Sequence, residues 1–253
     1  MSWAAARRGQ YIFGIFLVFS IPIGIAAFFL WYTPPTCFDG KINQGEVAID
    51  RGGPCELLAD SQTADATVLF ARPFEVVPGV WSALAHVDNP NFEAAAYKVP
   101  YAFKLVDEDG ILVAERQGTM TITPNGVTPV FEGGIRSGER RVAQAFFELL
   151  EDPVWLARKS AANHVTVRER ELLTDGTVRL TATIENLTLN DITKLVVVVS
   201  LFDLEDNALA ASKTVIERLP ARGKEQVIFT WPRPFPREVG RFEIQPIVIP
   251  EKR

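Results

Sequence analysis

The residue types able to do chemistry gather in residues 37–55, CFDGKINQGEVAIDRGGPC. Asp39, Asn43, Glu46 and Asp50 are hard oxygen donors in a Gly-rich stretch, the ligand types that Ca²⁺ takes. Their spacing is not that of an EF-hand. The stretch therefore reads either as a Ca²⁺ site or, the commoner fate of such residues, as a turn-rich linker whose acids face water. Cys37 and Cys55 are the only cysteines of the chain. In an oxidising compartment they would pair, and a loop of this length would gain about 3 kcal/mol from closure.

Elsewhere the chemistry thins out. The chain has two histidines, His86 and His164, and no G-x-S-x-G, H-E-x-x-H, Walker loop or C-x-x-C pair. No enzyme is expected from these motifs, although carboxylates brought together by folding are invisible to sequence. The acidic runs Asp107-Glu108-Asp109 and Asp203, Glu205, Asp206 read as solvated hairpin tips in preference to cation sites. Trp231-Pro-Arg-Pro-Phe-Pro236 is an aromatic and proline cluster in which Trp231 and Phe235 could meet a partner; the alternative is a stiffened bend between strands. Twenty-six Lys+Arg against 31 Asp+Glu give a net charge of −5, which excludes nucleic acid as a partner.

The elements that must position these groups begin with residues 11–32, an uncharged run that would span roughly 33 Å as a helix, enough to cross a bilayer. Trp3 and Tyr11 flank one end, Trp31 and Tyr32 the other, as an aromatic belt. The apolar run is long for a signal peptide, and Ala26-Ala27 leads directly into Phe28-Phe29-Leu30-Trp31, so an uncleaved anchor is expected. Arg7 and Arg8 precede it, whereas residues 33–65 carry six acids and two bases. That asymmetry leaves residues 1–10 in the cytoplasm and everything beyond the span outside, with residues 33–65 as a juxtamembrane linker.

After the linker come short β-branched runs punctuated by turns, the all-β signature. The pattern occurs twice. Ala85-His-Val-Asp-Asn89 aligns with Ala182-Thr-Ile-Glu-Asn186, Asp109-Gly110 with Asp206-Asn207 and Gly126 with Gly223, at an offset of 97. Expected strands are 67–76, 80–87, 97–107, 111–123, 128–133 and 141–149 in the first copy. In the second they are 164–170, 177–185, 193–202, 208–217, 224–231 and 240–249. The fold class is thus all-β: two tandem immunoglobulin-like sandwiches, residues 66–152 and 163–253, after one transmembrane helix. Residues 153–162 form a crossover, helical or irregular, that would hold the pair as a semi-rigid rod. Asp109-Gly110 and Asp206-Asn207 are expected to make type I′ turns, and His86 to lie on a sheet surface or in solvent.

Two resemblances follow from these residues. The loop is similar to a Cys-rich motif of bacterial surface proteins, C-x-D-G-x-x-N-x-x-E-x-x-x-D-C-G-G-x-C, with Arg51 in place of the middle cysteine. Phe103-Lys-Leu-Val-Asp107 and Val199-Ser-Leu-Phe-Asp203, each after a strand ending in Asn (Asn89, Asn186), resemble the F-x-L-Y-D core of the bacterial FxLYD-type Ig-like domain. That resemblance implies a membrane-anchored extracytoplasmic module with no catalytic residues. The expected function is structural or interactive, with the bilayer holding residues 11–32 and a protein partner in the cell envelope. A ligand- or Ca²⁺-binding module, or a non-catalytic subunit of an envelope complex, is the alternative.

Overall fold

The computed structural model describes residues 3–32, 34–174 and 177–248, so Ile249, the end of the last expected strand, lies outside the described residues. The chain forms two compact units, Met1–Pro54 and Cys55–Arg253.

The first unit opens with helix α1, Trp3–Trp31, which runs unbroken through Pro22. It starts ahead of the expected span because the preceding residues also favour helix and the Arg7 guanidinium sits 4.5 Å from the centre of the Trp3 ring one turn back. Arg7–Trp31 is long and apolar enough to cross a membrane. Apolar side chains cover its whole circumference, unlike a helix that lies on a soluble core.

The second unit holds thirteen strands among the described residues. They are β1 (Thr67–Val77), β2 (Val80–Asn89), β3 (Ala94–Val106), β4 (Leu112–Ile122), β5 (Gly126–Arg136), β6 (Gln144–Leu149) and β7 (Trp155–Ala157), then β8 (Val165–Leu173), β9 (Val178–Asn186), β10 (Ile192–Phe202), β11 (Ala208–Leu219), β12 (Lys224–Trp231) and β13 (Arg241–Ile247). The all-β class and the duplication are both present. Sheet β1-β2-β5 faces sheet β4-β3-β6, and β8-β9-β12 faces β11-β10-β13 in the same pattern, all pairs antiparallel. Alternation explains each core. Trp81, Ala83, Ala85, Tyr101, Phe103, Leu105 and Ile122 point inward in the first, and Val178, Leu180, Ala182, Ile184, Val197, Val199 and Leu201 in the second.

Both copies use one buried asparagine as a plug. Asn89 Nδ2 donates to the carbonyls of Ala94 and Thr123 at 2.8 Å, while its Oδ1 accepts from the Asn91 amide. Asn186 Nδ2 donates to Asn190, Leu219 and Pro220, and its Oδ1 accepts from Thr188. Each is fully buried and ties the loops at one end of its sandwich together.

Three expectations change. The spacing of 97 holds for β2/β9 and β5/β12, where Val130 and Val227 are both core residues. It falls to 96 through β3/β10, where Phe103 and Leu105 correspond to Val199 and Leu201. The hairpins after these strands are not type I′. Only Gly110 (φ 76°) and Asp206 (φ 62°) are left-handed, and the amides of Gly110 and Asp206 bond the carbonyls of Asp107 and Asp203. Each is a turn followed by one left-handed residue, so Gly110 corresponds to Asp206.

The crossover is the third difference. It contains β7, which pairs with Ala94–Ala96 of β3 and sends Trp155 into the first core. The sandwiches join instead through broad sheet faces. Leu84 of β2, Val198 of β10 and Ala211 of β11 form a separate apolar cluster, against which Phe70, Phe74, Phe131, Val196, Ala208 and Ile247 pack. A rod set by the crossover is not the arrangement, because β2 and β10 carry apolar residues on both faces and each must be covered twice.

Candidate functional site

The loop after α1 is organised by its carboxylates. Asp50 accepts from the amides of Asp39 and Gly40 at 3.1–3.2 Å. Asp39 accepts from the amides of Thr36 and Lys41 and from Asn43 Nδ2 at 2.8 Å. Glu46, 8% exposed, accepts from the amides of Asn43 and Asp50. Asn43, with the amides of Lys41 and Thr36, holds the Asp39 carboxyl below its ordinary range despite partial burial. The four residues singled out from sequence are thus linked to one another, through backbone N–H groups that a loop with almost no core must otherwise leave to water.

Cys37 and Cys55 are joined in a disulfide. Their sulfur atoms lie near Glu46, but sulfurs bonded to each other offer no thiolate to a metal.

Trp231 is 8% exposed, its indole N–H donating to the Ala211 carbonyl at 3.2 Å, and Phe235 packs edge-on to it at 5.4 Å as a half-buried edge of the second core. The acidic runs divide in the same way. Asp107 Oδ1 accepts from the amides of Asp109 and Ile111, and Asp203 Oδ1 from those of Glu205 and Asn207. Arg237 lies 2.7 Å from Asp203, and Arg140, at the equivalent place, 3.9 Å from Asp107. Burial raises the Asp203 pKa, but the bonds from Arg237, Asn207 and Glu205 outweigh it and hold the carboxyl below its usual value. These two acids close their own turns.

Sequence reasoning missed the face between the sandwiches. His86 lies on a sheet surface, as expected, yet that surface is covered and the residue is 6% exposed. Its Nε2 is 3.2 Å from Ser200 Oγ, and its ring packs against Phe70 at 4.6 Å and edge-on to Phe202 at 6.1 Å. Burial pushes its pKa down, opposed by Glu243 and helped by Arg241. At the margin Lys213 of β11 donates to the Phe131 carbonyl at 3.0 Å and lies 4.0 Å from Glu132 of β5, and Gln245 of β13 donates to the Val127 carbonyl. Glu132 in turn accepts from the buried Tyr101 hydroxyl at 2.7 Å, and burial together with this carboxylate pushes the phenol up. The signal available in sequence was WSALAHV in β2, which lacks the apolar–polar alternation of a one-sided strand.

No family model and no curated protein matches the sequence. Among solved structures, a transglutaminase from red sea bream aligns over 75% of this chain and 32% of its own, at 9% identity and a TM-score of 0.23. A β-glucuronidase from Bacteroides uniformis aligns over 69% of this chain and 22% of its own, at 15% identity and a TM-score of 0.20. The chain spans less than a third of either enzyme, and scores this low carry neither fold nor activity across. What the molecule itself defines is a helix long and apolar enough for a membrane, a disulfide-closed loop and a pair of β-sandwiches joined face to face.

Proposed function

We propose that this is a single-pass membrane protein whose paired Ig-like sandwiches stand outside the cytoplasm and act as a structural or interaction module of the cell envelope. The observation that carries this reading is the Cys37–Cys55 disulfide a few residues beyond an apolar helix, since disulfides persist in oxidising compartments and Arg7 and Arg8 mark the opposite, cytoplasmic side. The FxLYD-type resemblance is supported by features present in both copies: a plugging asparagine and an aspartate that closes the central hairpin. The joined faces make the two sandwiches one block, which suits spacing or display to a protein partner.

The test is topology in intact cells. Protease added to spheroplasts should digest residues beyond the helix and spare the N-terminus, and mass mapping should find Cys37 joined to Cys55. Protection of the sandwiches by an intact membrane overturns the reading. Crosslinking in the native membrane then identifies the partner.

A second reading, Ca²⁺ binding at the loop, is favoured by Asn43 Oδ1, which is buried without a hydrogen-bond partner among the described residues. Unchanged melting of the disulfide-closed loop and its protein on adding Ca²⁺ removes it.

A further inference from the structure

The loop that follows α1 is built inside out. Its three acids turn inward to the backbone: Glu46 is buried, Asp39 and Asp50 are half-buried, and together they accept from six peptide amides. Its apolar side chains point the other way. Phe38 is 94% exposed, and Ile42, Val47 and Ile49 are each more than half exposed. Lys41 is exposed among them. A soluble loop would reverse this assignment, placing carboxylates in water and covering a phenyl ring.

Position supplies the occupant. α1 ends at Trp31, and the few residues before Cys37, two of them Pro34 and Pro35, reach at most about 20 Å even fully extended. If α1 spans the bilayer, the loop is held at the headgroup layer, beside the aromatic residues Trp31 and Tyr32. Apolar side chains that enter the headgroup–acyl boundary, with a cation at phosphate depth, are the composition of an interfacial anchor.

We propose that the disulfide-closed loop is a membrane foot: Phe38, Ile42, Val47 and Ile49 insert into the interfacial layer of the bilayer that α1 crosses, with Lys41 toward lipid phosphate. The carboxylate-to-amide bonds and the disulfide hold the loop in the shape that turns these side chains outward. This inference rests on the membrane-anchor reading of α1.

The test uses the full chain, reconstituted in vesicles of phosphatidylcholine and phosphatidylglycerol, with photoreactive p-benzoylphenylalanine placed singly at Phe38, at Phe16 within the helix and at Phe92, an exposed ring in the second unit. Mass analysis after illumination reads the adduct. The expected result is lipid adduct at residues 16 and 38 and none at 92, with loss of the adduct at 38 when Ile42, Val47 and Ile49 are all changed to serine. Lipid adduct at 16 with protein adduct or none at 38 overturns the foot and leaves the anchor standing. Lipid adduct at 38 equal to that at 92 overturns it as unspecific. Absence of lipid adduct at 16 overturns the anchor reading and the foot with it.

Discussion

The same sheet face is treated in opposite ways in the two copies. In the first, the outward side of β1-β2-β5 carries Phe70, Phe74, Leu84, His86 and Phe131 and is covered by the second sandwich. In the second, the equivalent side of β8-β9-β12 carries Arg168, Arg179, Thr181, Thr183, Glu185 and Gln226 and meets water, with Arg168 and Glu185 paired at 2.8 Å. The partner face also differs. The outward side of β11-β10-β13 presents Val196, Val198 and Ala211, whereas the equivalent side of β4-β3-β6 presents Lys104 and Glu148 as an ion pair. One apolar face of each copy, on a different sheet in each, meets the other, so the joint is heterologous; the outer faces mix charged and polar residues with exposed Ile228 and Phe146. The two copies share one topology but differ both in the faces they present and in how their cores are filled, the first around aromatic rings and the second largely with aliphatic side chains.

The largest expected effect tests that joint directly. Leu84 is fully buried away from its own core, so Leu84→Ala should destabilise the second unit by about 2–5 kcal/mol, while its counterpart change Thr181→Ala should stay within about 0.5 kcal/mol. Urea unfolding of both variants measures the difference, and equal losses would break the comparison. The asparagine plugs should behave alike. Asn89→Ala and Asn186→Ala each strand carbonyls and amides at a buried loop junction and should each cost about 1–3 kcal/mol.

A third pair separates the cores. Gly118 lies opposite Tyr101, where a Cβ would come within 2.5 Å of the hydroxyl oxygen, whereas the equivalent pair in the second copy is Val197 opposite Thr214. Gly118→Ala should lose about 1–3 kcal/mol and recover part of it with Tyr101→Val. Thr214→Ala should be nearly neutral, as thermal melting will read.

The smallest expected effect is a pH slope. Burial depresses the His86 pKa, so the unfolded chain takes up the proton first. Stability is complete above the unfolded value of about 6.5 and declines as pH falls from there toward the lower folded value. His86→Gln should flatten that decline in denaturant midpoints measured between acid and neutral pH, and Thr183→Gln, at the equivalent position, should leave it. A decline that survives His86→Gln would assign it to the carboxylates instead.

Much of the fold was legible in short-range pattern. Val178, Leu180, Ala182 and Ile184 alternate with polar residues and gave the second core, and the uncharged run before Thr33 gave the helix. The turn chemistry was legible only in part, because Asp-Gly suits several hairpins and the choice depends on how Asp107 reaches the Ile111 amide. The proline cluster around Trp231 and Phe235 left a partner surface and a stiffened bend both open, because the packing of these rings against the second core is a long-range contact that spacing does not record.

Sequence by itself determined the apolar helix, the two cysteines, the all-β class and the duplication, since each follows from periodicity, repetition or composition; it missed β7 in the crossover. The tertiary structure decided which faces are covered, that the loop carboxylates bind peptide amides, and that His86 is enclosed. The physical reason is that a strand states only which residues share a side. Whether that side meets water or another sheet depends on complementary apolar area elsewhere in the chain, here more than a hundred residues away at Ser200 and Val198.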